Sequence, residues 1–156
     1  MARIALVFAV AALMSGAAMA APSGFGLGII VGEPTGLSAK AWMGGNAAVD
    51  AAAAWSFYRH SALHIHADFL LHNFGLLPVS AGELPLYYGI GGRIKFIEHD
   101  EDDDKIQLGV RVPVGLEYLF QDAPFGLFVE VVPLLDLVPD TDFDFNGGIG
   151  CRFYFR

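Results

Sequence analysis

Residues 106–120 alternate without a break. Ile106, Leu108, Val110, Val112, Val114, Leu116, Tyr118 and Phe120 fall on one parity, and Gln107, Gly109, Arg111, Pro113, Gly115, Glu117 and Leu119 on the other. A repeat of two belongs to an extended strand, whose successive side chains leave opposite faces; a helix repeats every 3.6 residues. The rhythm recurs over residues 63–71, where Leu63, Ile65, Ala67, Phe69 and Leu71 oppose His64, His66, Asp68 and Leu70, with His72 beyond. It recurs over residues 143–155, where Phe143, Phe145, Ile149, Cys151, Phe153 and Phe155 oppose Asp144, Asn146, Gly148, Gly150, Arg152 and Tyr154. Each segment has an apolar face and a face of polar residues and glycine, so the chain is all-β.

Turn signals cut the alternation into eight strands, at 24–32, 37–44, 46–57, 61–72, 84–97, 106–120, 125–137 and 143–155. Glu33-Pro34-Thr35-Gly36, Gly44-Gly45-Asn46 and Gln121-Asp122-Ala123-Pro124 are among the separators, and such residues supply turn dihedrals. Most of these strands exceed the usual five or six residues. They match the roughly 9–11 residues that cross a bilayer at a tilt. Eight long strands joined in sequence predict an antiparallel up-and-down barrel closed on itself.

The first twenty residues stand apart. Arg3 opens a short positive start, residues 4–14 are uninterruptedly apolar, and Ala18-Met19-Ala20 is a small-x-small cleavage site. Residues 1–20 read as a cleaved export signal and residues 21–156 as one barrel domain. Composition narrows the class further. The chain is 54% hydrophobic and 17% charged, against roughly 25% charged in an average soluble domain, which excludes a disordered chain. Nine Lys+Arg against seventeen Asp+Glu, with no basic cluster, give no basis for nucleic-acid binding. The single cysteine, Cys151, excludes an intrachain disulfide and reads as a small apolar residue of the strand's greasy face.

Periodicity alone does not say which face points inward. A soluble lipocalin-like barrel encloses its apolar face; an outer-membrane barrel turns it to lipid. Three features favour the second. The polar face is crowded with glycine (Gly24, Gly26, Gly28, Gly89, Gly91, Gly109, Gly115, Gly148 and Gly150), as a narrow lumen requires where large side chains interleave with small. The same face carries opposite charges that would pair inside: Lys40, Arg93, Lys95, Arg111 and Arg152 with Asp50, Asp68, Glu117, Glu130, Asp136 and Asp144. Finally, apolar-face aromatics gather at strand ends, with Phe25, Tyr118, Phe120, Phe125, Phe153 and Phe155 at one rim and Trp55, Phe57, Phe96, Phe143 and Phe145 at the other. Two aromatic girdles suit two membrane–water interfaces.

Two clusters could carry chemistry. His64-x-His66-x-Asp68 puts two imidazoles and a carboxylate on one strand face, a set able to hold zinc or to act as general acid and base. No nucleophile elbow or triad context accompanies it. The plainer expectation is an interior ladder in which His64, His66 and Asp68 meet Arg93, Lys95 or Arg111, so no catalytic residue, metal or cofactor is expected. Glu98, Asp100, Glu101, Asp102, Asp103 and Asp104 form an acidic loop. It lacks the glycine and distant glutamate of a calcium loop and reads as a solvated exterior turn. Gly24-Phe25-Gly26-Leu27-Gly28 opens a strand rather than following one, so it is no dinucleotide fingerprint.

Four stretches carry a family resemblance: Gly32-Glu33-Pro34-Thr35-Gly36-Leu37-Ser38-Ala39-Lys40, Leu84-Pro85-Leu86-Tyr87-Tyr88-Gly89-Ile90-Gly91-Gly92-Arg93, Val112-Pro113-Val114-Gly115-Leu116-Glu117-Tyr118-Leu119-Phe120, and Asn146-Gly147-Gly148-Ile149-Gly150-Cys151-Arg152-Phe153-Tyr154-Phe155. With the strand pattern, the chain resembles the small eight-stranded outer-membrane β-barrels of OmpA- and OmpX-like architecture. More narrowly, it is similar to an uncharacterised family of such barrels in spirochaetes and other bacteria. The resemblance implies a barrel in an outer membrane and no established activity. The last strand resembles the carboxy-terminal insertion signal of such barrels, with Phe155 followed by Arg156.

The expectation is a non-enzymatic integral outer-membrane protein, with an envelope-structural or surface-interaction role. Its partners would be outer-membrane lipid and, during biogenesis, the assembly machinery. Three alternatives stay open: a narrow channel, a lipid-modifying membrane enzyme using the His/Asp strand, and a soluble periplasmic carrier of a hydrophobic ligand.

Overall fold

A computed structural model describes residues 24–56, 61–98 and 105–155. The expected export signal, Phe57, and Asp100, Glu101, Asp102, Asp103 and Asp104 of the acidic loop lie outside the described residues. The strands are β1 (Phe25–Glu33), β2 (Thr35–Gly44), β3 (Ala47–Ser56), β4 (Ala62–Asn73), β5 (Leu86–Ile97), β6 (Lys105–Arg111), β7 (Val114–Leu119), β8 (Phe125–Val138) and β9 (Asp142–Phe155). All pairings are antiparallel, each strand pairs with its neighbours in sequence except that β6 and β7 do not pair with each other, and β9 pairs back to β1. β6 and β7 lie end to end between β5 and β8. The sheet is therefore a closed ring of eight strands without a free edge.

The division of β6 from β7 has one cause. Pro113 has no N–H to give to the ladder. Pairing resumes beyond it in the same register on both sides. The residues around it still bond across: Val112 N–H donates to the Pro133 carbonyl and Gly89 N–H to the Pro113 carbonyl, both at 3.0 Å. The strand expected over 106–120 is thus one strand with a single missing donor. The separator expected over Glu33-Pro34-Thr35-Gly36 shrinks to Pro34, because Glu33 ends β1 and Thr35 and Gly36 open β2; the other strand ends fall within two residues of those expected. Gly44 and Gly45, at φ of 102° and 61°, hold the β2–β3 turn in the left-handed region that glycine tolerates.

The two faces separate sharply. Ile29, Ile90, Val131 and Ile149 are 50–60% exposed on the outer wall. Lys40, Arg111, Glu117 and Arg152 on the opposite parity are at most 2% exposed. The charged side chains thus point inward, among buried apolar residues such as Ile30, Leu70, Val132 and Leu134, and the outward parity is apolar. A carrier of a hydrophobic ligand needs the reverse, and among the described residues the interior holds ion pairs where such a cavity would be.

Glycine makes this interior possible. A Cβ on Gly26 would stand 2.6 Å from the Tyr154 ring, and those on Gly115 and Gly150 would run into the Tyr87 and Phe128 rings. The Tyr154, Tyr87 and Phe128 rings therefore occupy the space that a missing side chain leaves. The outer wall has its own aromatic contacts. At one rim Tyr118 meets Phe120 and Phe153 meets both Phe125 and Phe155; at the other Phe143 meets Phe145, all with ring centroids 4.8–5.4 Å apart and steeply inclined.

Candidate functional site in the barrel lumen

The inward charges form three groups along the barrel, the first two linked through Arg152. Nearest the end that holds both strand termini, the first group centres on Glu117. Glu117 accepts from Lys40 and from the Tyr154 hydroxyl, and lies 3.7 Å from Arg152. Lys40 Nζ also donates to His72 Nε2 at 2.7 Å. Because an ammonium only donates, His72 must carry its proton on Nδ1, which faces the Asn46 carbonyl at 3.1 Å. Trp42 and Phe128 line this group: Lys40 Nζ stands 4.4 Å from the Trp42 ring centroid, and the Arg152 guanidinium 3.9 Å from that of Phe128.

Arg152 leads to the second group. Its Nε donates to Ser38 Oγ at 3.0 Å and its Nη2 to Asp50 Oδ2 at 3.2 Å. Asp50 sits directly opposite Asp68 in the β3–β4 register. Arg111 bridges Asp68, at 2.9 Å, and Glu130, at 3.6 Å. Glu130 also accepts from the Tyr87 hydroxyl at 2.9 Å. His66 joins this group, with Nε2 4.0 Å from Asp68 Oδ2. The third group is a fork–fork pair nearer the opposite mouth, in which Arg93 Nε and Nη2 donate to the two Asp136 oxygens at 3.1 and 2.7 Å.

Most charges expected in the lumen are found there, buried: Lys40, Asp50, Asp68, Arg93, Arg111, Glu117, Glu130, Asp136 and Arg152. Lys95 is half-buried at the mouth beside His64 in register. Asp144 departs from the expectation. It is exposed, and one of its oxygens accepts from the Phe145 backbone N–H at 2.8 Å. The cause is an overhang: β1 ends opposite Gly147, so residues 142–146 of β9 extend past their β1 neighbour. Glu98 is exposed.

The expected single-strand trio also regroups. His66 and Asp68 meet Asp50 of the neighbouring strand, with ligand-capable atoms all within 4.8 Å, and His64 is not among them. Parity already put Asp50 on the inner face, but only strand register brings it opposite Asp68. Trp42, Tyr87 and Phe128 were not singled out from the sequence. Their signal was the parity they share with Lys40, Gly89 and Glu130.

The class that this geometry defines is a closed eight-stranded antiparallel β-barrel with an apolar wall and a filled, ion-paired core. No family model matches the chain, and no curated protein matches it in sequence. Among solved structures it is similar to the N-terminal β-barrel domain of Pseudomonas aeruginosa OprF, with a TM-score of 0.64 and 15% identity, over 84% of this chain and 95% of that one. The likeness supports the barrel fold. The narrower likeness to a spirochaete family draws no support from these comparisons.

Proposed function

We propose that the protein is an integral outer-membrane β-barrel whose role is non-enzymatic, in envelope structure or surface interaction. The observation that carries this reading is the inversion of faces. A wall of Ile29, Ile90, Val131 and Ile149 is at least half exposed while arginine and glutamate are enclosed. In water such a wall would be a large aggregation-prone surface. In lipid it is satisfied, and ring closure meets the requirement that every backbone donor be paired. The aromatic contacts at both rims fit two interfacial girdles. A concavity of about 640 Å³ on the wall, lined by Leu84, Leu116, Leu127, Val129 and Ile149, offers almost entirely apolar surface, as acyl chains require. By this reading the partners are outer-membrane lipid and the machinery that assembles barrels.

The packed lumen argues against a conducting pore, because Tyr87, Phe128 and Tyr154 fill it between the ion pairs. It argues against lipid modification too: His64, His66 and Asp68 are enclosed, out of reach of lipid at the wall. Fractionation of the expressed chain, with a gel of the membrane fraction run boiled and unboiled, tests the proposal. An outer-membrane band that migrates faster unboiled supports it; a soluble periplasmic protein overturns it.

A further inference from the structure

Asp50, His66 and Asp68 pose a problem that the rest of the lumen does not solve. Two carboxylates directly opposite on adjacent antiparallel strands repel each other. The basic groups near them are shared: Arg152 serves Asp50 and Glu117, and Arg111 serves Asp68 and Glu130. With Lys40 on Glu117, this connected set holds four carboxylates against three cations. Arg93 is committed to Asp136. All three residues are at least 94% buried. Yet Asp50 Oδ1, His66 Nδ1 and both Asp68 oxygens have no hydrogen-bond partner among the described residues. Arg111 Nε approaches Asp68 Oδ1 closely, but off the line of a hydrogen bond. Buried polar atoms are normally partnered, and such orphans call for an ion, a water or a proton.

We propose that Asp50, His66 and Asp68 bind one divalent cation of the zinc class inside the lumen. One imidazole and two carboxylates are a donor set for zinc with a further position open. The ligand-capable atoms already lie within 4.8 Å of one another. Ion–ligand distances of about 2.0–2.2 Å would draw them together by roughly 1 Å, within reach of side-chain rotation. Arg152 holds Oδ2 of Asp50 and leaves Oδ1 unpartnered, the outer-sphere support that orients a ligating carboxylate. The site does not depend on whether lipid or water covers the wall, since its residues point inward.

The test is zinc titration of the purified folded protein after chelator treatment, read by competition with a chromophoric chelator. The expected result is one zinc per chain, weakened about tenfold or more in both His66→Ala and Asp50→Asn and unchanged in His64→Ala, which lies outside the cluster. Cobalt in place of zinc should give a visible absorption band that His66→Ala abolishes. Each variant's fold is checked by its unboiled gel mobility, and the near-isosteric Asp68→Asn serves if His66→Ala fails to fold. No stoichiometric binding would overturn the proposal, leaving a proton shared by the two carboxylates as their compensation. Binding that survives both His66→Ala and Asp50→Asn would also overturn it and would place the ion elsewhere, on the acidic 98–104 loop for instance.

Discussion

Glu117 has no exposed surface and faces three basic side chains, with Arg152 at 3.7 Å, His72 at 3.9 Å and Lys40 in direct contact. Removing one partner of a buried pair leaves an uncompensated charge, whereas removing both can be nearly neutral. Glu117→Ala should therefore destabilise the barrel by about 3–5 kcal/mol in urea unfolding of the detergent-folded protein. Combining it with Lys40→Met should recover a good part of that loss; strictly additive losses would contradict a coupled network. Gly150 makes a steric point of the same kind. A side chain there would press on the Ile29 carbonyl of the neighbouring strand as well as the Phe128 ring, so Gly150→Val should cost about 1–3 kcal/mol or more in the same assay. Phe128→Ala in the same chain should relieve part of that cost.

At the scale of the strand, parity made most of the architecture legible. The alternation of residues 63–71 placed His64, His66 and Asp68 inside because one residue of slip would reverse every side chain, and all three are buried. The parity of residues 106–120 survives even Pro113, where the ladder loses one donor and the faces do not change. What parity does not carry is register between strands. Asp50 and Asp68 lie in different strands, joined through residues 57–61, and nothing in either strand's rhythm says that they stand opposite. The overhang that exposes Asp144 has the same origin, since it depends on where β1 stops relative to β9. The outer parity makes its own prediction. Val131, at 55% exposure, is the seventh of the fourteen residues of β8. Against lipid, Val131→Arg should cost about 2–4 kcal/mol near mid-membrane; in a water-soluble barrel the same change should be close to neutral in the unfolding assay.

At the scale of the whole molecule, ring closure and lumen filling act together. Eight strands enclose an interior about as wide as its side chains, and here these are locked by ion pairs and by rings seated on glycines. The purified protein should therefore show no discrete conductance steps in planar bilayers; steady openings would contradict a filled lumen. The central claim is that the apolar wall meets lipid, and the chain carries its own reporter for it. Cys151 is the single cysteine, lies on the outward parity of β9 beside Ile29 and Leu127, and forms no disulfide. A nitroxide attached to it in reconstituted vesicles can be relaxed by oxygen, which concentrates in hydrocarbon, or by a water-soluble nickel chelate. The wall-to-lipid account predicts strong relaxation by oxygen and weak relaxation by nickel. Strong relaxation by nickel and weak relaxation by oxygen would put the wall in water and contradict it.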